Sequence, residues 1–240
     1  MPQESSRKMS WSEKFAAVAS LVISSGCIPL FAQQSLPPSS ETVSFRVLEG
    51  SRLSFDLSPD GKSIVFDLLG QLWVIPTYGG DAQAITNAVQ DTAEDLDPSF
   101  SPRDGRVLFK AERNGRRGLW LLEPGRQAPQ QITELPNQFA QDGGASWSPD
   151  GKLVAFSRFT IGDSVGARPR SDLIVLDIAT FAVRELPIAG LPNPAARDPA
   201  WSPDGNRIAF VASYAAGSRG GRIWIVDRSG GNATPVISRR

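Results

Sequence analysis

Apolar residues along the chain fall into short runs that recur in a fixed order. Ile64-Val65-Phe66, Val107-Leu108-Phe109, Val154-Ala155-Phe156 and Ile208-Ala209-Phe210 form one set. A second run follows each: Leu72-Trp73-Val74-Ile75, Leu119-Trp120-Leu121-Leu122, Leu173-Ile174-Val175-Leu176 and Ile223-Trp224-Ile225-Val226. A weaker signal closes each group, ending in Ile85-Thr86, Ile132-Thr133, Glu185-Leu186 and Val236-Ile237. Runs this short, rich in β-branched and aromatic side chains and bounded by turn residues, predict strands.

In front of each group stands a large apolar residue, Leu57, Phe100, Trp147 or Trp201, and then a turn. The turn reads Ser58-Pro59-Asp60-Gly61, Ser148-Pro149-Asp150-Gly151 and Ser202-Pro203-Asp204-Gly205, and with one insertion Ser101-Pro102-Arg103-Asp104-Gly105. Proline presets the first turn position, aspartate bonds nearby amides, and glycine takes the positive φ that closes a hairpin. Asp60, Asp104, Asp150 and Asp204 are therefore expected to be structural. The turns start 43, 47 and 54 residues apart. Four-stranded units of that length are the mark of β-propeller blades, which bury their faces only by stacking on neighbours. The expected fold is an all-β propeller, with blades at about 51–86, 95–133, 143–186 and 197–237 and strands a to d in each. Phe66, Phe109, Phe156 and Phe210, with Trp73, Trp120 and Trp224, are the expected inter-blade core.

This [FW]-Ser-Pro-Asp-Gly-x-x-[IV]-[AV]-Phe pattern resembles the WD40-like repeats of TolB-type β-propellers. The resemblance covers about residues 51–237. The first unit is similar to the start of exported bacterial amidohydrolases. It carries Val43–Gly50, Leu53–Gly61 and Ile64–Trp73 in the sequence VSFRVLEG, LSFDLSPDG and IVFDLLGQLW. In those proteins a TolB-like propeller precedes a metal-dependent barrel. The resemblance implies fold and family only, because the metal ligands of that family lie in the barrel. TolB-type propellers usually have six blades and four are recognisable here, so a truncated ring with two exposed ends is favoured over a closed four-bladed one. Val43–Leu48 reads as an extra strand that would close a complete ring.

The chain's first segment reads as an address. Arg7, Lys8 and Lys14 precede an apolar run over 15–23, then small residues, a proline and Ala32. That is the form of a secretory signal peptide over 1–32, and its run is far short of a membrane span. A lipid-modified Cys27 would want leucine three residues earlier, where Ser24 stands. Residues 33–42 are Pro- and Ser-rich and read as a linker to a propeller over 43–240. The expected location is exported and periplasmic, with no membrane span left after cleavage.

Composition narrows the chemistry. The 240 residues include no histidine and one cysteine, which excludes Ser-His-Asp and Cys-His catalysis and His-containing zinc sites within this chain. Basic and acidic residues number 25 each, which argues against nucleic acid as a partner. Gly162-Asp163-Ser164-Val165-Gly166 satisfies the nucleophile-elbow pattern, but it lies in a hairpin loop and lacks a histidine partner. No cofactor and no metal site are expected.

The polar candidates cluster in the b–c loops and the d–a connections, which share one edge of a propeller. The b–c segments hold Arg116 and Arg117, then Arg168 and Arg170, then Arg222. The d–a connections supply Asp95, Asp97 and Asp198. Loops on a rigid scaffold commonly carry binding, so this edge is the candidate binding face. The expected role is a protein-binding or scaffolding module without catalysis of its own, as the resemblance to the Tol system implies. The alternative is the propeller part of a larger amidohydrolase, or of a prolyl-oligopeptidase-like peptidase, whose catalytic domain lies elsewhere. Its partner is then a protein in trans or a fused catalytic domain.

Overall fold

The computed structural model describes residues 53–87, 93–113, 116–126, 128–161, 169–191, 195–213 and 221–236. All belong to one compact unit, Val47–Arg240. The leader, the linker and the Val43–Leu48 strand lie outside the described residues, as do Arg168 and residues 162–166.

The repeats fold as four antiparallel sheets of four strands. The first sheet is β1 (Phe55–Leu57), β2 (Ser63–Leu68), β3 (Gln71–Pro76) and β4 (Gln83–Ala84). The second is β5 (Glu94–Phe100), β6 (Val107–Arg113), β7 (Arg116–Leu122) and β8 (Gln130–Gln131). The third is β9 (Gln141–Trp147), β10 (Leu153–Thr160), β11 (Arg170–Asp177) and β12 (Val183–Glu185). After it comes β13 (Ile188–Ala189). The fourth sheet is β14 (Ala196–Trp201), β15 (Arg207–Ser213), β16 (Gly221–Asp227) and β18 (Thr234–Pro235). Between its last two strands, β17 (Gly231–Asn232) pairs in parallel with β13 and ties the exit of the third blade to the outer edge of the fourth. Among the described residues no helix is long and apolar enough to cross a membrane.

Each a–b hairpin is built by its own turn residues. In the first, the Gly61 amide donates to the Ser58 carbonyl at 2.8 Å, and Gly61 sits at φ 70°. The Ser58 hydroxyl donates to Asp60 Oδ1 at 2.7 Å, and Asp60 also takes the Lys62 amide at 3.1 Å. The same two donations recur at Asp150, from Ser148 at 2.6 Å and Lys152 at 3.1 Å. At Asp204, donation by Ser202 and then by the Asn206 amide holds the carboxyl at about 2. In the inserted second turn the Arg106 amide likewise donates to Asp104 Oδ1, at 3.3 Å, and its side chain adds a bond from Nε at 3.0 Å. These aspartates close hairpins, which explains their recurrence.

Alternation along each strand then sorts side chains onto two kinds of blade face. One kind carries the Phe of strand b and the Trp or Ile of strand c. The other carries the intervening Val, Leu and Ala. Each interface joins one of each kind. Val65 and Leu72 of the first blade meet Val107, Phe109, Ala111 and Leu122 of the second. Leu108, Leu119 and Leu121 meet Val154, Phe156, Ile174 and Leu176 of the third. Ala155, Leu173 and Val175 meet Ile208, Phe210, Trp224 and Val226 of the fourth. Phe109, Phe156 and Phe210 are 1%, 0% and 1% exposed. Phe66 departs from them and is only half-buried. Its face belongs to the first blade's outer side, against which no described blade packs.

Candidate binding face

The a strands of the second, third and fourth blades break register at equivalent places, between Leu96 and Ser99, opposite Phe156 and Ser157, and between Arg197 and Ala200. The residue turned to positive φ is Asp97 (52°), Gly144 (49°) or Asp198 (51°). A β-bulge of this kind re-aims side chains and backbone amides. Here it exposes the Asp97 amide to a buried carboxylate of the preceding blade, Asp67 Oδ2, at 2.9 Å. The other oxygen of Asp67 takes the Ser54 amide at 3.0 Å. Asp67 is thus satisfied by one amide from each of two blades and clasps the first blade to the second. Asp56 does the same one turn away, accepting the Phe100 amide at 2.8 Å. At Gly144 no side chain fits, since a Cβ would stand 2.9 Å from Asp198 Oδ1.

Asp97 itself accepts the Ser54 hydroxyl at 2.7 Å and pairs with Lys110. Burial pushes its carboxyl up, but Lys110 and Ser54 outweigh that and hold it below the usual range. Ser54, Asp97, Lys110 and Gly144 border a recess of about 290 Å3.

The other described charges of this edge sit on strands, and several are bonded within their own blade. Arg158 grips the buried Asp142 with two bonds, Nε at 2.6 Å and Nη2 at 2.9 Å. Arg113 lies 3.3 Å from Asp95 and stacks 4.2 Å from the Trp120 ring centre. Arg117 pairs with Glu112 at 2.8 Å. Arg116 donates to the Leu135 carbonyl at 2.8 Å. Arg170 pairs with Asp172 at 2.8 Å and Glu185 at 3.6 Å. Arg197 lies 3.4 Å from Asp198. Arg222 stands on β16 opposite Ala212. The structure places Arg116, Arg117, Arg170 and Arg222 in c strands, on three different blades, and Asp95, Asp97 and Asp198 in a strands. It does not gather them at one point. Among the described residues no three His, Cys, Asp or Glu side chains are grouped to hold a metal ion.

On the opposite edge, a cleft of about 830 Å3 opens between the first and second blades, with Ile85, Phe100 and Leu122 beneath Asp60, Arg103 and Arg126. Arg126 is paired there with Glu123 at 2.7 Å.

Asp95 gives this edge a pH dependence. It is 4% exposed, and burial pushes its carboxyl from 3.8 up to about 6, against the Thr86 hydroxyl bond, which lowers it. A carboxyl whose folded pKa is raised binds more protons in the folded state than in the unfolded one. Stability from this group is therefore present at low pH and is lost as pH rises from 3.8 to about 6. The expected loss is at most about 3 kcal/mol, and the Arg113 guanidinium 3.3 Å away, which favours the charged carboxylate, reduces it. Urea titrations at a series of pH values should show it, and Asp95→Asn should flatten that part of the profile.

Asp56, Asp67 and Lys110 were not among the sequence candidates. Asp67 and Lys110 occupy equivalent places just after the strand-b Phe, where the third and fourth blades have Ser157 and Val211. A charged residue at a position whose alternation points into the blade interface was the available signal.

No family model matches the chain. Over 106 residues the chain is 32% identical to the Tol-Pal system protein TolB of Gluconobacter oxydans, covering 44% of this chain and 22% of that protein. The structure superposes on a putative TolB from Agrobacterium tumefaciens with a TM-score of 0.59 and 22% identity, covering 78% of this chain and 62% of the other. It is also similar to a puromycin hydrolase, with a TM-score of 0.57 and 18% identity, covering 78% of this chain and 29% of the other. The chain thus spans less than two thirds of the length of these proteins. The fold is a TolB-like β-propeller.

Proposed function

We propose that this chain is an exported protein-binding module that recognises its partner through the b–c edge of the blades. The observation that carries this is the bulge repeated in three inner strands. It fixes two half-exposed carboxylates, Asp97 beside Lys110 and Asp198 beside Arg197, on strands rather than on loose loops. Charges held on a rigid scaffold recognise a partner without a further ordering cost. The likeness to a Tol-Pal system protein supports a partner in the cell envelope, and the leader over 1–32 supports export. Arg117, paired only at the surface with Glu112, is placed to meet such a partner.

The test is Arg117→Ala in the exported protein. Its melting temperature should match the parent, because exposed pairs contribute only about 0–1 kcal/mol. Its affinity for the protein that the parent captures in stoichiometric amount should fall about tenfold, the effect of about 1.4 kcal/mol. Unchanged affinity would overturn the placement of the binding face.

A second reading has its own support. The chain covers 29% of a puromycin hydrolase, and its first unit resembles the start of exported amidohydrolases. The propeller would then present its polar edge to a catalytic domain in the same polypeptide.

A further inference from the structure

The two outer faces of the blade stack are the two halves of a contact that the chain already makes three times. On the first blade, register pairing puts Phe55, Leu57, Ile64, Phe66, Trp73 and Ile75 on one face. These positions match Phe109, Phe156 and Phe210 and their neighbours, which the preceding blade covers. Here nothing described covers them, and Phe55 and Leu57 are 72% and 52% exposed. On the fourth blade the outward face carries Ala209, Val211, Ile223 and Ile225. It matches the faces of Val65 and Leu72, of Leu108 and Leu119, and of Ala155 and Leu173. Ile223 is 52% exposed.

We propose that a second copy of this chain docks its fourth-blade face on the first-blade face, head to tail. The contact is heterologous, so it either closes into a ring of copies or runs on as a filament. Three features favour a copy of the chain as occupant. Both faces are of the two kinds that fit each other in every internal interface. The formal net charge is +0, so no repulsion opposes association. The new contact also leaves no backbone amide stranded. Inside the stack, the amides of Phe100 and Trp201 are satisfied by Asp56 and Ser146 of the preceding blade. The equivalent amide of the first blade, Leu57, is satisfied within its own blade by Asp56 Oδ1 at 2.9 Å. The fourth blade correspondingly has Ala200 where Asp56, Ser99 and Ser146 stand, and Val211 where Asp67 stands. The middle of each joining surface is apolar, and on the fourth blade Arg207 and Asp227 stand opposite each other at the turn end of that face.

The experiment is sedimentation equilibrium of the full chain and of two variants, Phe55→Glu and Ile223→Glu. Both side chains are exposed in a single copy, so the variants should keep the parent's circular dichroism and melting temperature. Leu57→Lys replaces the first if Phe55→Glu does not fold. The parent's average mass should rise with concentration above that of one chain. Each variant alone should stay monomeric at concentrations where the parent associates. An equimolar mixture of the two retains one intact pair of faces and should form dimers and nothing larger. A monomeric parent would overturn the proposal and assign the faces to another cover, such as further blades in cis. Variants that associate as the parent does would also overturn it, and so would a mixture that stays monomeric.

Discussion

Phe156→Ala is expected to lower the stability of the chain by about 3–5 kcal/mol, against about 1 kcal/mol for Phe66→Ala. The two residues hold the same place in the repeat and differ only in what covers them. Phe156 is 0% exposed and packs among Leu108, Leu119 and Ile174 across the second interface. Its removal withdraws an aromatic ring from water-free contact on both sides and leaves a cavity that two sheets cannot close. Phe66 stands on the outward face of the first blade, next to Phe55, which is 72% exposed. Its truncation removes contacts on one side only. Urea midpoints at constant slope, taken at concentrations where the chain is monomeric, measure both changes. Equal losses at the two positions would mean that the first blade's outer face is covered as fully as the internal ones.

The second large effect is expected at Asp142 and Arg158. Asp142 is 1% exposed and Arg158 9%, and the guanidinium also lies 5.4 Å from the Phe156 ring centre. Asp142→Ala leaves a buried cation without its counter-charge and should cost about 3–5 kcal/mol. The double variant Asp142→Ala with Arg158→Leu removes both charges, so it should cost clearly less than Asp142→Ala alone. Non-additivity of that size in a double-mutant cycle is the signature of a directly coupled pair. If the single variant loses less than about 1 kcal/mol, the pair behaves as a surface bridge and the edge is wetter than its geometry implies.

The architecture was legible because each level of the repeat points the same way. Ser-Pro-Asp-Gly carries its turn within four residues, so the hairpins at 58–61, 148–151 and 202–205 need no tertiary information. The Phe positions of strand b alternate correctly, which is enough to place Phe109, Phe156 and Phe210 in the interfaces. The same argument over-reached at Phe66. Its burial depends on a blade further along the stack, and local pattern does not count blades. The polar edge was less legible. Arg116, Arg117 and Arg170 read as loop residues because they flank turn signals, yet hairpin register carries the strands through them. The buried clasp of Asp67 on the Ser54 and Asp97 amides depends on a bulge one blade away. A bulge at Asp97 is a matter of register against β6, which composition does not reveal. The parallel pairing of β13 with β17 joins residues 43 apart in sequence and had no local signature.

The b–c edge, not the turn edge, is expected to meet the partner. Site-specific photo-cross-linking in the native cells tests it most directly, with the photoreactive residue placed at Arg117 in one strain and at Lys62 in another. Lys62 lies on the opposite edge with 80% of its side chain exposed, so it controls for casual collision. The expected result is one discrete protein adduct from position 117 and none from position 62. A discrete adduct from position 62 with none from 117 would contradict the account and move the binding surface to the cleft between the first and second blades.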